Sequence, residues 1–371
     1  MTPYEALTGQ TLVVEGGKIA AVTADVEARD DDTVIDAAGM TIAPGFIDVH
    51  VHGGDGADTM DATPEALHTM ARFFARHGVT GYYATTMSAP PEVIRRAIEN
   101  VVNCPQPEDG AHHLGVHVEG PYLSPSYPGA QPASVLRLAD PYEYRYWLES
   151  GVVKLITLAP EMAGAHELIR VGLAQGIEFA AGHTGASYEQ IEEAAGLGLR
   201  QATHTFSAMS ALHHRKPGTV GAVLSDDRIY AQIIGDGVHT HPAVVKILAR
   251  AKGTARTILI TDAMRAAGLP DGEYDLGDQM VRVQGGVARL SADTLAGSTT
   301  TMDAVLRNMM AFAGLTLAEA LPMATAVPAQ AMRLHGRKGV LAAGADADIV
   351  LLDAECHVAL TMVTGRVVFR R

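Results

Sequence analysis

Residues 44–53 read PGFIDVHVHG, a run of Phe46, Ile47, Val49 and Val51 set between Gly45 and Gly53 and ending in His50 and His52. A short, nearly unbroken apolar run bounded by glycines is the pattern of a strand covered on both faces, as in parallel sheets. Side chains two apart leave a strand on the same face, so His50 and His52 can point together beyond its C-terminal end. That is chelating geometry. Seven further runs repeat the grammar, each followed by a polar or Gly-rich loop and a helical segment: Val79 to Thr85, Leu114 to Val118, Val152 to Ala159, Ile177 to Ala181, Gln201 to Thr205, Ile229 to Ile234 and Thr257 to Thr261. Eight strands alternating with helices make the count of a closed (β/α)8 TIM barrel, whose reactive groups gather at the strands' C-terminal ends.

The first crossover shows why the helices are expected. Thr63 can cap a helix that starts at Pro64, Leu67, Met70, Ala71 and Phe74 form one apolar stripe, and Gly78 can close it in a left-handed conformation. Thr316 and Glu319 have capping-box spacing, with Pro322 set either to sit in the first turns of that helix or to kink it. The two ends of the chain read differently. Thr11 to Val22 is a hairpin around Glu15-Gly16-Gly17-Lys18, and Asp348 to Arg370 reads as strands joined at Gly365. A lone hairpin is marginal in water, so the ends are expected to pair into one small sheet domain. Gly272 to Leu290 reads as a further hairpin inserted after the eighth strand.

Composition narrows the function. The 371 residues are 47% hydrophobic, enough for a large core, and 28 basic against 42 acidic residues leave a formal net charge of -14. Such a charge repels nucleic-acid backbones and anionic lipid surfaces, so neither nucleic acid nor membrane is an expected partner. Two cysteines, Cys104 and Cys356, cannot make a disulfide framework, no apolar run approaches the ~20 residues of a membrane span, and the N-terminus carries no signal core. A cytoplasmic enzyme is expected.

Further ligand-type groups fall at the ends of the other strands. With 16 histidines in 371 residues, chance alone gives about 0.7 His-x-His triplets, so His50-Val51-His52 and His239-Thr240-His241 need support from position. Glu119 ends the third run, His183 the fifth, His204 the sixth and Asp262 the eighth. A lone histidine is more often a hydrogen-bonded scaffold residue than a ligand, and a carboxylate at the end of an apolar run is costly to bury without a proton, a cation or a metal. Five ligand-type groups and one further acid collected at a single end of a barrel outweigh that bland reading. Imidazole and carboxylate without thiolate suit zinc first, with ferrous iron, manganese or cobalt as alternatives. A divalent ion makes water acidic enough to act near neutral pH and polarises a carbonyl, so hydrolysis is the expected chemistry, with Asp262 as general base. His213, His214, Arg215 and Lys216 form a basic cluster that reads either as a solvated loop or as an anion clamp in which Arg215 binds a phosphate.

These residues carry a resemblance. PGFIDVHVHG, GVHVEGPYLSP (115–125), AGHTGAS (181–187), THTFSAMS (203–210), GDGVH (235–239), LITDAM (259–264), DTLAGSTTTMD (293–303) and KGVLAAGADADIVLLD (338–353) together resemble the N-acetylglucosamine-6-phosphate deacetylases of the amidohydrolase superfamily. The resemblance implies a distorted barrel over 44–341 and a small β-sandwich domain from 1–43 with 342–371. It also implies a homodimer that removes acetate from an amino-sugar 6-phosphate. By motif, Glu119, His183 and His204 match the main metal site, His50 and His52 a second ion bridged through Glu119, and Asp262 the catalytic acid-base. One or two ions per subunit are implied. Arg215, His239, Ser207, Ala208 and Gln131 stand at positions that meet the sugar and its phosphate, and the arginine can reach across from a partner subunit. Gln131 replaces a customary His and Ser207 a customary Asn, which leaves the galactosamine epimer or another N-acyl substrate open. A hydrolase of cyclic amides or N-acyl amino acids is disfavoured by the basic cluster and by the place of Lys154, near the start of its strand instead of its end. A catalytically silent sugar-phosphate binder is disfavoured by the intact Asp262.

Overall fold

The computed structural model describes residues 6–24 and 26–371, so Met1 to Glu5 and Asp25 of the expected N-terminal segment lie outside the described residues. Eight parallel strands follow one another in sequence order: β1 (Phe46–Val51), β2 (Val79–Thr86), β3 (His112–Glu119), β4 (Val153–Leu158), β5 (Glu178–Ala181), β6 (Gln201–Ala202), β7 (Tyr230–Ile234) and β8 (Thr257–Ile260). Each is followed by a helix, from Pro64–Arg76 after β1 to Met302–Ala313 after β8. The first of these carries the expected cap: the Thr63 hydroxyl accepts the Ala66 N–H at 3.2 Å, and Gly78 has φ +79°. Among the described residues, no single helix is long and apolar enough to cross a membrane.

Alternation along the strands divides the core in two. Phe46, Val116, Val118, Ile156, Phe179, Ile233 and Leu259 pack outward against the helices. Ile47, Val49, Leu155, Ala180, Ile234, Ile258 and Ile260 face inward and meet Val327, Ala329 and Met332 of the segment that closes the barrel's N-terminal mouth. Apolar packing fills that end, which leaves the C-terminal end for polar groups.

The barrel is distorted at one seam. β1 and β8 stand at the two ends of the hydrogen-bonded order, and no ladder joins them. Their junction is made instead by Asp262 N–H to His50 O at 2.9 Å, His52 N–H to Ala263 O at 2.9 Å, and the buried Asp48 carboxylate, which accepts the Thr261 hydroxyl at 2.5 Å. Burial pushes the Asp48 carboxyl up to about 7, against the hydrogen bond from Thr261.

The chain ends meet as expected in a small antiparallel sheet domain. Arg366–Arg370, Val358–Val363, Ile349–Leu352 and Thr41–Pro44 form a four-stranded sheet in that order. The hairpin Thr11–Glu15 with Lys18–Thr23 joins it through Ile19 N–H to Ala345 O and Ala347 N–H to Gly17 O, both 2.9 Å, over a core that holds Ile19, Leu351, Leu360 and Met362.

Three details differ from the sequence reading. β6 ends at Ala202 and not at Thr205, because His204 turns the backbone left-handed at φ +28°. The insertion after β8 has three strands, Gly272–Leu276, Gln279–Gln284 and Val287–Arg289, since Gly285 and Gly286, with φ +59° and +73°, supply a second turn. Pro322 stops the helix begun at Leu317 after Ala320, and the chain continues as a 3-10 turn.

Thr261→Val removes the hydroxyl donor from a buried carboxylate at the seam. It should cost about 1–3 kcal/mol in urea unfolding. An unchanged midpoint would mean that the seam does not depend on this bond.

Candidate metal centre

Glu119 lies at the end of β3, separated from β1 by β2, and its two oxygens face four imidazoles. Oε1 stands 3.2 Å from both His183 Nε2 and His204 Nε2, which are themselves 3.1 Å apart. Oε2 stands 3.2 Å from His52 Nε2, and His50 and His52 Nε2 are 3.3 Å apart. Asp262 completes the cluster, its Oδ1 3.3 Å from both His50 and His52. All six side chains are buried. Two groups of three, His50-His52-Glu119 and Glu119-His183-His204, each have the arrangement to hold one ion, and they share Glu119.

The donor set fits a divalent cation. A tetrahedral site with bonds of ~2.0–2.1 Å has donors about 3.3 Å apart, the spacing found within both groups. The histidine tautomer adds a second argument. His183 Nδ1 lies 3.1 Å from the Tyr127 carbonyl, which can only accept, so Nδ1 carries the proton and a neutral His183 presents a bare lone pair at Nε2. That lone pair faces a carboxylate oxygen that also only accepts. A cation between them turns this repulsion into coordination.

The electrostatics ask for the same charge. Burial disfavours an ionised Glu119, but the charge on His50 and the contacts of the His183, His204 and His50 imidazoles hold its carboxyl well below the usual range. Burial likewise works against ionisation of Asp262, and the charge on His50 with the hydrogen bond and charge of His52 outweigh it, bringing Asp262 to about 2. His52 responds in turn: burial pushes it down, while its bonds to Asp262 and Glu119 bring it up to about 10. Two ionised carboxylates in a dry pocket thus draw positive charge onto their neighbours.

Backbone strain marks the same positions. His183, His204 and Asp262 have φ of +49°, +28° and +49°, a left-handed region unfavourable for side chains larger than glycine. Each lies two residues past the end of its strand, where the left-handed turn brings its side chain into the mouth. Below the cluster runs a buried bridge from strand to strand. Thr85 Oγ1 lies 3.2 Å from His117 Nδ1, His117 Nε2 lies 2.7 Å from Thr157 Oγ1, and that hydroxyl lies 2.7 Å from Thr203 Oγ1. Burial pushes His117 well below the usual imidazole value, which keeps it neutral beneath the cluster.

The expected substrate contacts are spread more widely. His239 is nearly enclosed, its Nδ1 2.7 Å from Asp236. Burial works against its proton, but the bond and charge of Asp236, with the charge of Asp262, raise its pKa. Ser207 and Ala208 follow His204 in the half-buried loop after β6. Arg215 lies on the exposed run Ala211 to Lys216 and bonds His214 at 2.5 Å, so within one chain it is not drawn into the cluster. Gln131, expected to meet the sugar, has both ends of its amide engaged inside the protein: Oε1 accepts the Ser88 N–H and Nε2 donates to Glu119 Oε2, each at 2.8 Å.

The sequence profile of the Amidohydrolase family matches residues 41–368, most of the chain. The chain belongs to the amidohydrolase family. This amidohydrolase is 37% identical over 376 residues to the N-acetylglucosamine-6-phosphate deacetylase of Bacillus subtilis (strain 168), an alignment covering 100% of this chain and 95% of that protein. It is 38% identical over 328 residues to the N-acetylgalactosamine-6-phosphate deacetylase of Escherichia coli O157:H7, covering 88% and 87%. Its fold is similar to the crystal structure of N-acetylglucosamine-6-phosphate deacetylase from Pasteurella multocida, with a TM-score of 0.94 at 30% identity over 100% of this chain and 97% of that one.

Sequence reasoning missed three contributors to the amidohydrolase's site. His117 and Thr157 read as ordinary members of strand runs, although His117 sits two residues before Glu119 on the same face, a signal that could have been used. Asp236, three residues before His239, was visible only as part of GDGVH.

Glu119→Gln keeps the shape of the shared group but removes its charge. Metal analysis of the dialysed variant should show loss of both ions, with metal affinity lowered by more than the ~10–100-fold typical of an outer partner. Retention of both ions at wild-type affinity would end the reading of Glu119 as their common ligand.

Proposed function

We propose that this amidohydrolase removes the acetyl group from an N-acetyl-amino-sugar 6-phosphate, with N-acetyl-D-glucosamine 6-phosphate as the first choice of substrate. The observation that carries the reading is the convergence of four imidazoles on Glu119 with Asp262 beside them. His183, His204 and Glu119 would hold one ion, and His50, His52 and Glu119 a second, with zinc the metal that best suits nitrogen and oxygen donors at this spacing. When bound, such ions supply an activated water and polarise the acetamide carbonyl.

Asp262 does the proton work. Against burial, the charge on His50 and the bond and charge of His52 keep its carboxyl below the usual range, so it is ionised at neutral pH, the state a general base requires. Its side chain is 10% exposed against 2% for Glu119, so it is the carboxylate nearer the open mouth. The protonated group then returns the proton to the departing amine, without which the tetrahedral adduct would expel water and not the sugar nitrogen. The deep position of the cluster excludes bulk water from the reacting carbonyl.

His239 is placed to meet the sugar, because Asp236 occupies Nδ1 and leaves Nε2 available. Arg215 would grip the phosphate. The exposure of His213, His214, Arg215 and Lys216 supports a homodimer in which this loop reaches the mouth of a second copy. The similarity to the galactosamine-phosphate enzyme of Escherichia coli keeps that epimer as the second reading.

Three experiments test the assignment. Acetate release from the 6-phosphates of N-acetylglucosamine and N-acetylgalactosamine, before and after chelation, should be metal-dependent and favour the first sugar; Asp262→Asn should lower turnover by about 10²–10⁴ while keeping the metal. Wild-type turnover by that variant would remove Asp262 from the mechanism. Arg215→Ala should weaken binding of the phosphorylated sugar by about 1.5–3 kcal/mol and leave the unphosphorylated one unchanged; equal losses with both would refute the clamp.

A further inference from the structure

Gln131 is the residue whose observed place differs most from its expected one. It is 5% exposed and spans from the loop after β2 to the end of β3. Its amide has one permitted orientation. The Ser88 backbone N–H can only donate, so the atom it meets at 2.8 Å is the amide oxygen, and the amide nitrogen must then face Glu119 Oε2, also at 2.8 Å. The loop behind it is fixed as well: Gln131 N–H bonds the Pro128 carbonyl at 2.9 Å, and the Ala130 carbonyl accepts Gln279 Nε2 at 2.7 Å from the inserted sheet after β8.

This matters because a glutamate does not fix its own carboxylate plane. The terminal torsion is broad, and the group rotates unless donors hold it. Oε1 of Glu119 faces His183 and His204 and lies 3.5 Å from His50, whereas Oε2 faces His52 and is the oxygen that Gln131 grips. We propose that Gln131 is the positioning residue of the shared carboxylate, and that it fixes Oε2 so that the His50-His52 half of the centre can hold its ion. The inserted sheet contributes through Gln279, which braces the loop. The inference rests on the two-ion reading above and adds to it a cause for unequal affinities: the His50-His52 half depends on the Gln131 amide, whereas the other half has His183 held directly by the Tyr127 carbonyl.

The test is a Co²⁺ titration of the metal-free protein, followed by visible absorbance, on wild type, Gln131→Met and Gln279→Ala. Methionine keeps length and burial but cannot donate. Wild type should show two steps. Gln131→Met should keep the tighter step and move the weaker one to about 10–100-fold higher Co²⁺, the usual effect of removing a partner of a ligand. Gln279→Ala, which lies outside the core and spares the cluster, should move the same step in the same direction by a smaller factor, and it carries the test if the methionine variant does not fold. An unmoved weaker step in the variants, or equal weakening of both steps, would overturn the role of Gln131 while leaving the two-ion reading intact. A single step in wild type would overturn both.

Discussion

The charge on Glu119 is the constraint around which the rest is arranged. A carboxylate enclosed at the end of an apolar strand must be compensated, and the barrel brings imidazoles from three other strands at once. Each donor alone would be a poor place for a polar group. Together they form a cluster whose lone pairs and negative charge are satisfied only by cations, so the fold and the chemistry impose one requirement.

The barrel meets that requirement by spending its regularity at the C-terminal end. The inward residues of the lower layers are aliphatic and packed against Val327, Ala329 and Met332. Above them the Thr85, His117, Thr157 and Thr203 bridge ties adjacent strands. Left-handed turns at His183, His204 and Asp262 then aim three ligating or acidic groups inward. Strain of this kind persists only where surrounding structure over-determines it, and the close hydrogen-bonded floor supplies that support.

Most of the architecture was legible in the sequence because it follows from periodicity. Apolar runs, proline starts such as Pro64 and glycine stops such as Gly78 are local signals, and most of the barrel's strands and helices follow them. The cluster was legible for a related reason: strand ends are marked by where the apolar run stops, and the ligand types stand at those stops. What was not legible depends on contacts between distant residues. Nothing near Gln131 in the chain announces Ser88 or Glu119 as partners, and nothing near Asp48 announces Thr261 across the seam. Arg215 is the converse case, a residue whose chemistry is plain and whose place in one chain leaves it exposed.

The meeting of the two chain ends in one sheet also has a consequence during synthesis. Thr41–Pro44 leads directly into β1, yet its partner Ile349–Leu352 emerges from the ribosome only after every barrel strand. Until then the entry to the first strand has an open edge and an uncovered apolar flank, the condition in which nascent proteins recruit chaperones. The pairing of Ile349–Leu352 with Thr41–Pro44 therefore closes that edge only after all eight barrel strands have been made.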